Sequence, residues 1–248
     1  MQQFFSLKHK TILVTGASSG IGKQTAINIS NMNGNVIISG RNEERLQHTL
    51  SEMQGKHSMI CSDLTKKEKM LDLIEQLPIL DGFVHCAGIS KPLPIKFIKQ
   101  SYLQDIQAIN FESAAILSSF LLKKKKLNKQ ASIVFVSSIA AQHPYKGGAA
   151  YAASKAALEA FARTLALEVA HRKIRVNCIA PAMVQTQMYE ATKAAVSAKA
   201  MEKDAARYPL GIGQSDDVAN TSIFLLSDAS KWITGQTIRL DGGLMLGA

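Results

Sequence analysis

The chain has 248 residues, of which 46% are hydrophobic and 19% charged, enough apolar sequence to fill the core of one domain spanning 1–248. The 29 Lys and Arg against 19 Asp and Glu leave a formal +10, compatible with an acidic partner or a phosphorylated cofactor; no nucleic-acid-binding module accompanies the charge, so nucleic acid is not expected as a partner. Cys61, Cys86 and Cys178 are far apart with no CxxC spacing, which reads as free thiols without a metal site, and the lack of a signal peptide or long apolar run predicts a cytoplasmic protein away from membranes.

Short apolar runs alternate with segments of helical period along the chain. This predicts βαβ units and a Rossmann-type α/β fold, a doubly wound parallel sheet of about seven strands with helices on both faces. Strands are expected near 11–15, 35–39, 57–60, 81–85, 132–137, 174–179 and 237–240, and helices near 20–32, 42–54, 66–77, 98–126, 150–171 and 215–227.

The first strand, Thr11 to Thr15, runs into Gly16-Ala-Ser18-Ser19-Gly20-Ile21-Gly22 and then a helix. Glycines let a backbone approach a pyrophosphate, and a helix N-terminus offers free N–H groups to it, so this turn is a candidate dinucleotide site. The second strand ends in Gly40-Arg41, where an acid would accept from a ribose 2′-hydroxyl and an arginine suits a 2′-phosphate; NADP(H) is therefore favoured over NAD(H). Asn42, Glu43 and Glu44 are explained by capping of the next helix. Lys123 to Lys126, with Lys129 beyond, reads as a solvated helix end.

The strand Ile133 to Val136 ends in Ser137-Ser138, thirteen residues before Tyr151, and Tyr151-Ala-Ala-Ser-Lys155 places a phenol and an ammonium one helical turn apart. A nearby ammonium stabilises a phenolate, and a serine hydroxyl can hold a carbonyl oxygen, which suits proton transfer during carbonyl reduction. His143 and Tyr145, in the loop before Tyr151, are candidates for a pocket wall together with Gln142. Residues 184–212 are too long for a tight connection and are expected to form a substrate lid at the C-terminal edge of the sheet. Trp232 is expected to pack beneath the Thr234-Gly-Gln segment.

Taken together, TGASSGIG at 15–22, Asn110, Ser138 and YAASK at 151–155 resemble the short-chain dehydrogenase/reductase family over essentially the whole chain. Within it the chain is most similar to 3-oxoacyl-[acyl-carrier-protein] reductases. The resemblance implies an oxidoreductase with Tyr151 as general acid/base, Lys155 as ribose ligand and as the charge that lowers the Tyr151 pKa, Ser138 orienting the carbonyl, and Asn110 holding a relay water. It further implies adenine contacts at Asp63 and Leu64, a cofactor turn at Ala87-Gly88, and nicotinamide-side contacts at Pro181, Val184 and Thr186. A homotetramer or homodimer follows from it too, joined by helices such as the one bearing Ala152, Ala153, Ala156, Ala157 and Ala160. Lys129 and Arg172 match basic positions of the carrier-protein reductases, which implies with Lys123 to Lys126 a patch steering acyl carrier protein to the active-site mouth. The chain departs from the family at His85-Cys86, where two asparagines usually brace the sheet, at Pro181-Ala182 in place of Pro-Gly, and at Pro209 to Gly213, which lacks a common arginine.

Overall fold

The computed structural model describes residues 2–190 and 198–246. Among the described residues nine strands form: β1 Thr11–Thr15, β2 Asn35–Gly40, β3 Ser58–Cys61, β4 Leu80–His85, β5 Leu127–Val136, β6 Arg175–Pro181, β7 Val184–Gln185, β8 Gly213–Gln214 and β9 Thr237–Leu240. Seven of them build one sheet in the order β3-β2-β1-β4-β5-β6-β9, each pair parallel, while β7 and β8 pair separately. The principal helices are α1 Gly20–Asn31, α2 Glu43–Ser51, α3 Lys67–Gln76, α4 Gln100–Gln107, α5 Ser113–Lys123, α6 Ala149–Val169, α7 Ala198–Ala205 and α8 Ser215–Leu226.

Both faces of the sheet are buried, which is why its strands are near-continuous apolar runs. In β1, Leu13 points into a core made with Leu73 and Ile74 of α3, Leu117 and Leu121 of α5, and Leu158 and Leu165 of α6. Its neighbours Ile12 and Val14 point the other way, toward Ala26 and Ile29 of α1, Leu46 of α2 and Val218, Leu225 and Leu226 of α8. The period-2 alternation of one strand thus sets both layers. The chain winds from β1 outward through β2 and β3, then returns to β4 and continues to the opposite edge. That reversal opens a crevice at the C-terminal ends of β1 and β4, the place where ligands bind in such sheets.

Three local expectations are revised. The helix expected over 98–126 is divided by a π-helical turn, Ala108–Glu112, between α4 and α5. The extra residue in such a turn has no signature in the apolar period, and π turns concentrate at functional positions. Strand β5 begins at Leu127 rather than 132, with a register shift opposite Leu80 to Gly82 and Gln130 at positive φ. Its polar Asn128-Lys129-Gln130 start hides it from a hydrophobicity reading. Trp232 does not pack inward: it is 96% exposed. The 230–236 turn is tied to β6 by polar groups instead, Asn177 Nδ2 donating to the Ile233 carbonyl at 2.9 Å and the Val176 N–H to Thr234 Oγ1 at 3.0 Å.

Candidate active site

The turn from Gly16 to Gly22 packs its glycines closely against neighbouring backbone. Gly16 has φ +68°, and a Cβ there would lie 2.6 Å from the Ala87 nitrogen; one at Gly22 would lie 2.3 Å from the Gly16 carbonyl oxygen. Only glycine lets β1, the Ala87-Gly88 turn and the start of α1 approach this closely. The resulting crevice, 310 Å³, is lined by Gly16, Ser18, Ser19, Gly20, Ile21, Gly22, Arg41, Asp63, Leu64, Ala87 and Gly88, so all of these cofactor candidates lie in one cleft. Asn42 caps α2 by accepting from the Arg45 N–H at 2.8 Å. That cap turns Arg45 into the cleft beside Arg41, and Arg45 Nη1 reaches Gln187 Oε1 at 3.4 Å across it. Arg45, Ser62, Thr65, Gln187 and Met188 are lining residues that the sequence reading did not single out. For Arg45 a signal existed, since it is a cation in the first turn of a helix opening directly after Arg41.

A wider cavity of 660 Å³ adjoins this cleft and shares Ile21, Cys86, Gly88, Thr186 and Met188 with it. Ser138, His143, Tyr145, Tyr151, Lys155, Pro181, Val184 and Thr186 line it, together with Ile139, Ala140, Met183, Tyr189, Tyr208 and Leu244. Gln142 is not part of that wall; its side-chain amide turns to Glu159 at 3.2 Å. The last four apolar liners come from segments distant in sequence from the motifs. Of the expected lid, β7, the helical stretch 187–190, α7 and the segment 206–212 are described, while 191–197 lie outside the described residues.

Tyr151 and Lys155 sit on the first turns of α6, with the Lys155 ammonium 5.8 Å from the phenol ring centre. Lys155 is buried and donates to the Val136 carbonyl at 2.8 Å, which fixes it at the end of β5. Burial pushes its pKa down to about 8, and burial pushes the Tyr151 phenol up to about 12 against the opposing effect of a hydrogen bond with Ser138, so the lowering expected from Lys155 is outweighed by desolvation. Ser138 Oγ also accepts from the Ala140 N–H at 3.2 Å, in the short turn that follows β5. Asn110 lies in the π turn, fully buried, its carboxamide exchanging two hydrogen bonds with the Ile89 backbone at 2.8 and 3.0 Å and donating to Ser154 Oγ at 3.0 Å. It therefore ties the loop after β4 to α6.

The His85 departure does not cost the sheet its brace. The imidazole stands between Thr15 Oγ1 at 2.9 Å and Ser113 Oγ at 3.3 Å, linking β1, β4 and α5. Burial, reinforced by the charge of Lys155, pushes its pKa down to about 3, so the ring is neutral with one donor and one acceptor nitrogen. Cys86 is a small packing group whose thiol burial pushes up to about 12. At Pro181-Ala182 the bend needs no positive φ, because the Ala182 N–H donates to the Leu240 carbonyl at 2.8 Å. The basic positions that the resemblance singled out do not line this cavity. Lys129 lies near the start of β5, about 30 Å of strand from Ser138, and Arg172 ends the turn Ala170–Arg172 ahead of β6. Arg172 donates to the Leu127 carbonyl at 2.5 Å and the Lys126 ammonium to the Leu77 carbonyl, which holds both side chains in place while they keep their charge.

Residues 16–245 match the family model described as Enoyl-(Acyl carrier protein) reductase. A 3-oxoacyl-[acyl-carrier-protein] reductase of Rickettsia felis is 36% identical over 241 residues, covering 97% of this chain and 98% of its own length. The chain belongs to the short-chain dehydrogenase/reductase family. The 7alpha-hydroxysteroid dehydrogenase of Escherichia coli is 30% identical over 245 residues, 96% of this chain and 94% of that one. A Beutenbergia cavernae structure holding NADP at low occupancy superposes with a TM-score of 0.90 at 29% identity, covering 98% of this chain and 99% of that one. As a member of the family, the protein is an oxidoreductase that interconverts carbonyl and alcohol groups with a nicotinamide cofactor. No described helix is long and apolar enough to cross a membrane.

Proposed function

We propose that this short-chain dehydrogenase/reductase is an NADP(H)-dependent reductase of 3-oxoacyl chains carried on acyl carrier protein. The observation that supports the reaction is the Ser138, Tyr151 and Lys155 cluster at the foot of a 660 Å³, largely apolar cavity adjoining a dinucleotide-shaped cleft. The cleft fits the cofactor because the cradle at Gly16 and Gly22 would be filled by any Cβ. Gly16 to Gly22 take the pyrophosphate, Asp63 and Leu64 the adenine side, and Arg41 with Arg45 a 2′-phosphate, there being no carboxylate at the end of β2 to accept from a 2′-hydroxyl. Ala87, Gly88, Pro181, Val184 and Thr186 border the nicotinamide end, which supplies the hydride when the cofactor is bound.

Ser138 Oγ and the Tyr151 hydroxyl hold the carbonyl oxygen from one side, and these bonds strengthen as negative charge develops on it. Tyr151 then releases its proton to that oxygen, with Lys155 bracing the ribose and favouring the phenolate left behind. Asn110 keeps the Ile89 loop and Ser154 in register beside Lys155, where a relay water returns the proton. His143, Tyr145 and the apolar wall of Val184, Met188, Tyr189 and Tyr208 enclose the acyl chain.

Delivery by an acidic carrier is supported at the mouth rather than at Lys129. The two loops that flank the cavity, 86–99 and 139–148, contain Lys91, Lys96, Lys99 and Lys146 and no Asp or Glu. The test compares a 3-oxoacyl chain on carrier protein with the same chain on a small thiol. Carrier protein should raise kcat/KM at least ~10-fold at low salt, and Glu substitution of the four lysines should abolish that gain only. Equal efficiency for both forms would exclude the carrier. The exposed stripe Ala153, Ala156, Ala160, Thr164 and Leu167 of α6, beside Ile116 of α5, supports assembly as a homotetramer or homodimer, which a purely monomeric sedimentation profile would rule out.

A further inference from the structure

One buried carboxylate near the site has no place in the proton transfer described so far. Glu159 is 3% exposed, on α6, one turn beyond Lys155 and two beyond Tyr151, so the three side chains share one stripe of the helix. A carboxylate is rarely buried unless its oxygens are satisfied. Here Oε1 accepts from Ser137 Oγ at 2.8 Å and Oε2 from Gln142 Nε2 at 3.2 Å. Ser137 precedes Ser138, and Gln142 ends the turn Ile139–Ala141 that follows it. Both sides of the segment carrying the carbonyl-orienting hydroxyl are therefore gripped from the helix that carries the acid.

We propose that Glu159 is a positioning residue, which fixes the Ser138 turn relative to Tyr151 and supplies the negative charge facing the buried Lys155 ammonium. The groups around Lys155 bear this out. Burial lowers its pKa, and Cys86 from the loop after β4, Cys178 from β6 and Glu159 from α6 oppose that. The thiols of Cys86 and Cys178 are themselves pushed up to about 12 by burial and carry no charge where Lys155 titrates. Tyr151 and His85 are neutral there as well, and Arg163, one turn beyond Glu159, acts near Cys178. Among these groups Glu159, one helical turn from Lys155, is the one with a carboxylate to oppose the effect of burial on the ammonium.

The inference rests on Tyr151 and Lys155 being the proton-transfer pair, but its test does not require turnover. In the cofactor-free protein, carbon NMR of the Lys155 Cε follows its titration directly. Glu159→Gln keeps the shape and loses the charge, and should lower the Lys155 midpoint by at least ~0.5 pH unit and move the alkaline limb of kcat by the same amount. Glu159→Ala also frees the Ser138 turn and should lower kcat a further ~10-fold while the NADPH dissociation constant stays near the parent's. An unmoved Lys155 midpoint in folded Glu159→Gln overturns the proposal, whereas loss of the pair's own role would show instead as full activity in Tyr151→Phe.

Discussion

Replacing Tyr151 by Phe removes one hydroxyl and leaves the ring, the helix and the Lys155 bond to the Val136 carbonyl intact. With its pKa pushed up to about 12 by burial, the phenol is protonated at neutral pH and suited to donate to a developing alkoxide. General acid catalysis by a positioned group is worth about 10²–10⁴ in rate, or roughly 3–5 kcal/mol of barrier, and that is the expected loss in kcat for reduction. The NADPH dissociation constant should change less than ~3-fold, because the phosphate cradle and Lys155 are untouched. The pH dependence follows from Lys155, whose pKa lies below the usual lysine value at about 8: the ammonium is present below that pH and lost above it. Parent kcat for reduction should therefore be level in the acid-to-neutral range and fall as pH rises through about 8. Single-turnover NADPH oxidation with saturating substrate, followed across pH for parent and variant, measures both. A Phe variant turning over within ~3-fold of the parent would refute the assignment of Tyr151 as the acid.

Arg41→Asp should weaken NADPH binding and narrow or invert the preference over NADH, since an acid repels a 2′-phosphate and accepts from a 2′-hydroxyl; an unaltered ratio of the two dissociation constants would sink the 2′-phosphate assignment. His85 gives the fold an acid sensitivity. Its folded pKa of about 3 lies below the ordinary 6.5, so the unfolded chain binds the extra proton and stability is lost as pH falls from about 6.5 toward 3, with a slope on the order of 1.4 kcal/mol per pH unit. His85→Asn, which can bond Thr15 and Ser113 without titrating, should remove that component. Urea unfolding at pH 6 and pH 4 measures it, and an identical pH slope in parent and variant would show that His85 is not its source.

The parts of the site readable in the sequence are those whose chemistry forces local spacing. A pyrophosphate cradle needs its glycines within one turn, and an ammonium can act on a phenol from the same helix only at i, i+3 or i, i+4, so Gly16 to Gly22 and Tyr151 with Lys155 are contiguous motifs. The buried parallel strands were readable for a related reason, since both faces of β1, β4 and β6 meet helices and leave short runs rich in apolar residues. What escaped depends on contacts between distant segments. Tyr208 and Leu244 reach the cavity from opposite ends of the last fifty residues, and the π turn at Asn110 adds a residue without disturbing the apolar pattern.

His85 shows the same limit from the other side. As a residue type it departs from the family's asparagine and reads as a lost brace, yet an imidazole kept neutral by burial offers one donor and one acceptor at a separation that spans Thr15 and Ser113. The sheet needs the bonds rather than the amide, and which side chain can make them is decided by the depth of the pocket around it. The same reasoning separates the two basic features of the surface. Lys129 and Arg172 match carrier-protein reductases by position, but within one chain they lie near the starts of β5 and β6 whereas Ser138 follows the end of β5, and neither lines the cavity. Lys91 and Lys146 match nothing by motif, yet their loops join through the Leu93 N–H to the Gly147 carbonyl at 2.9 Å and flank the cavity itself. A partner delivering a tethered substrate is steered by charge near the opening, because screening confines such attraction to about 10 Å at moderate salt.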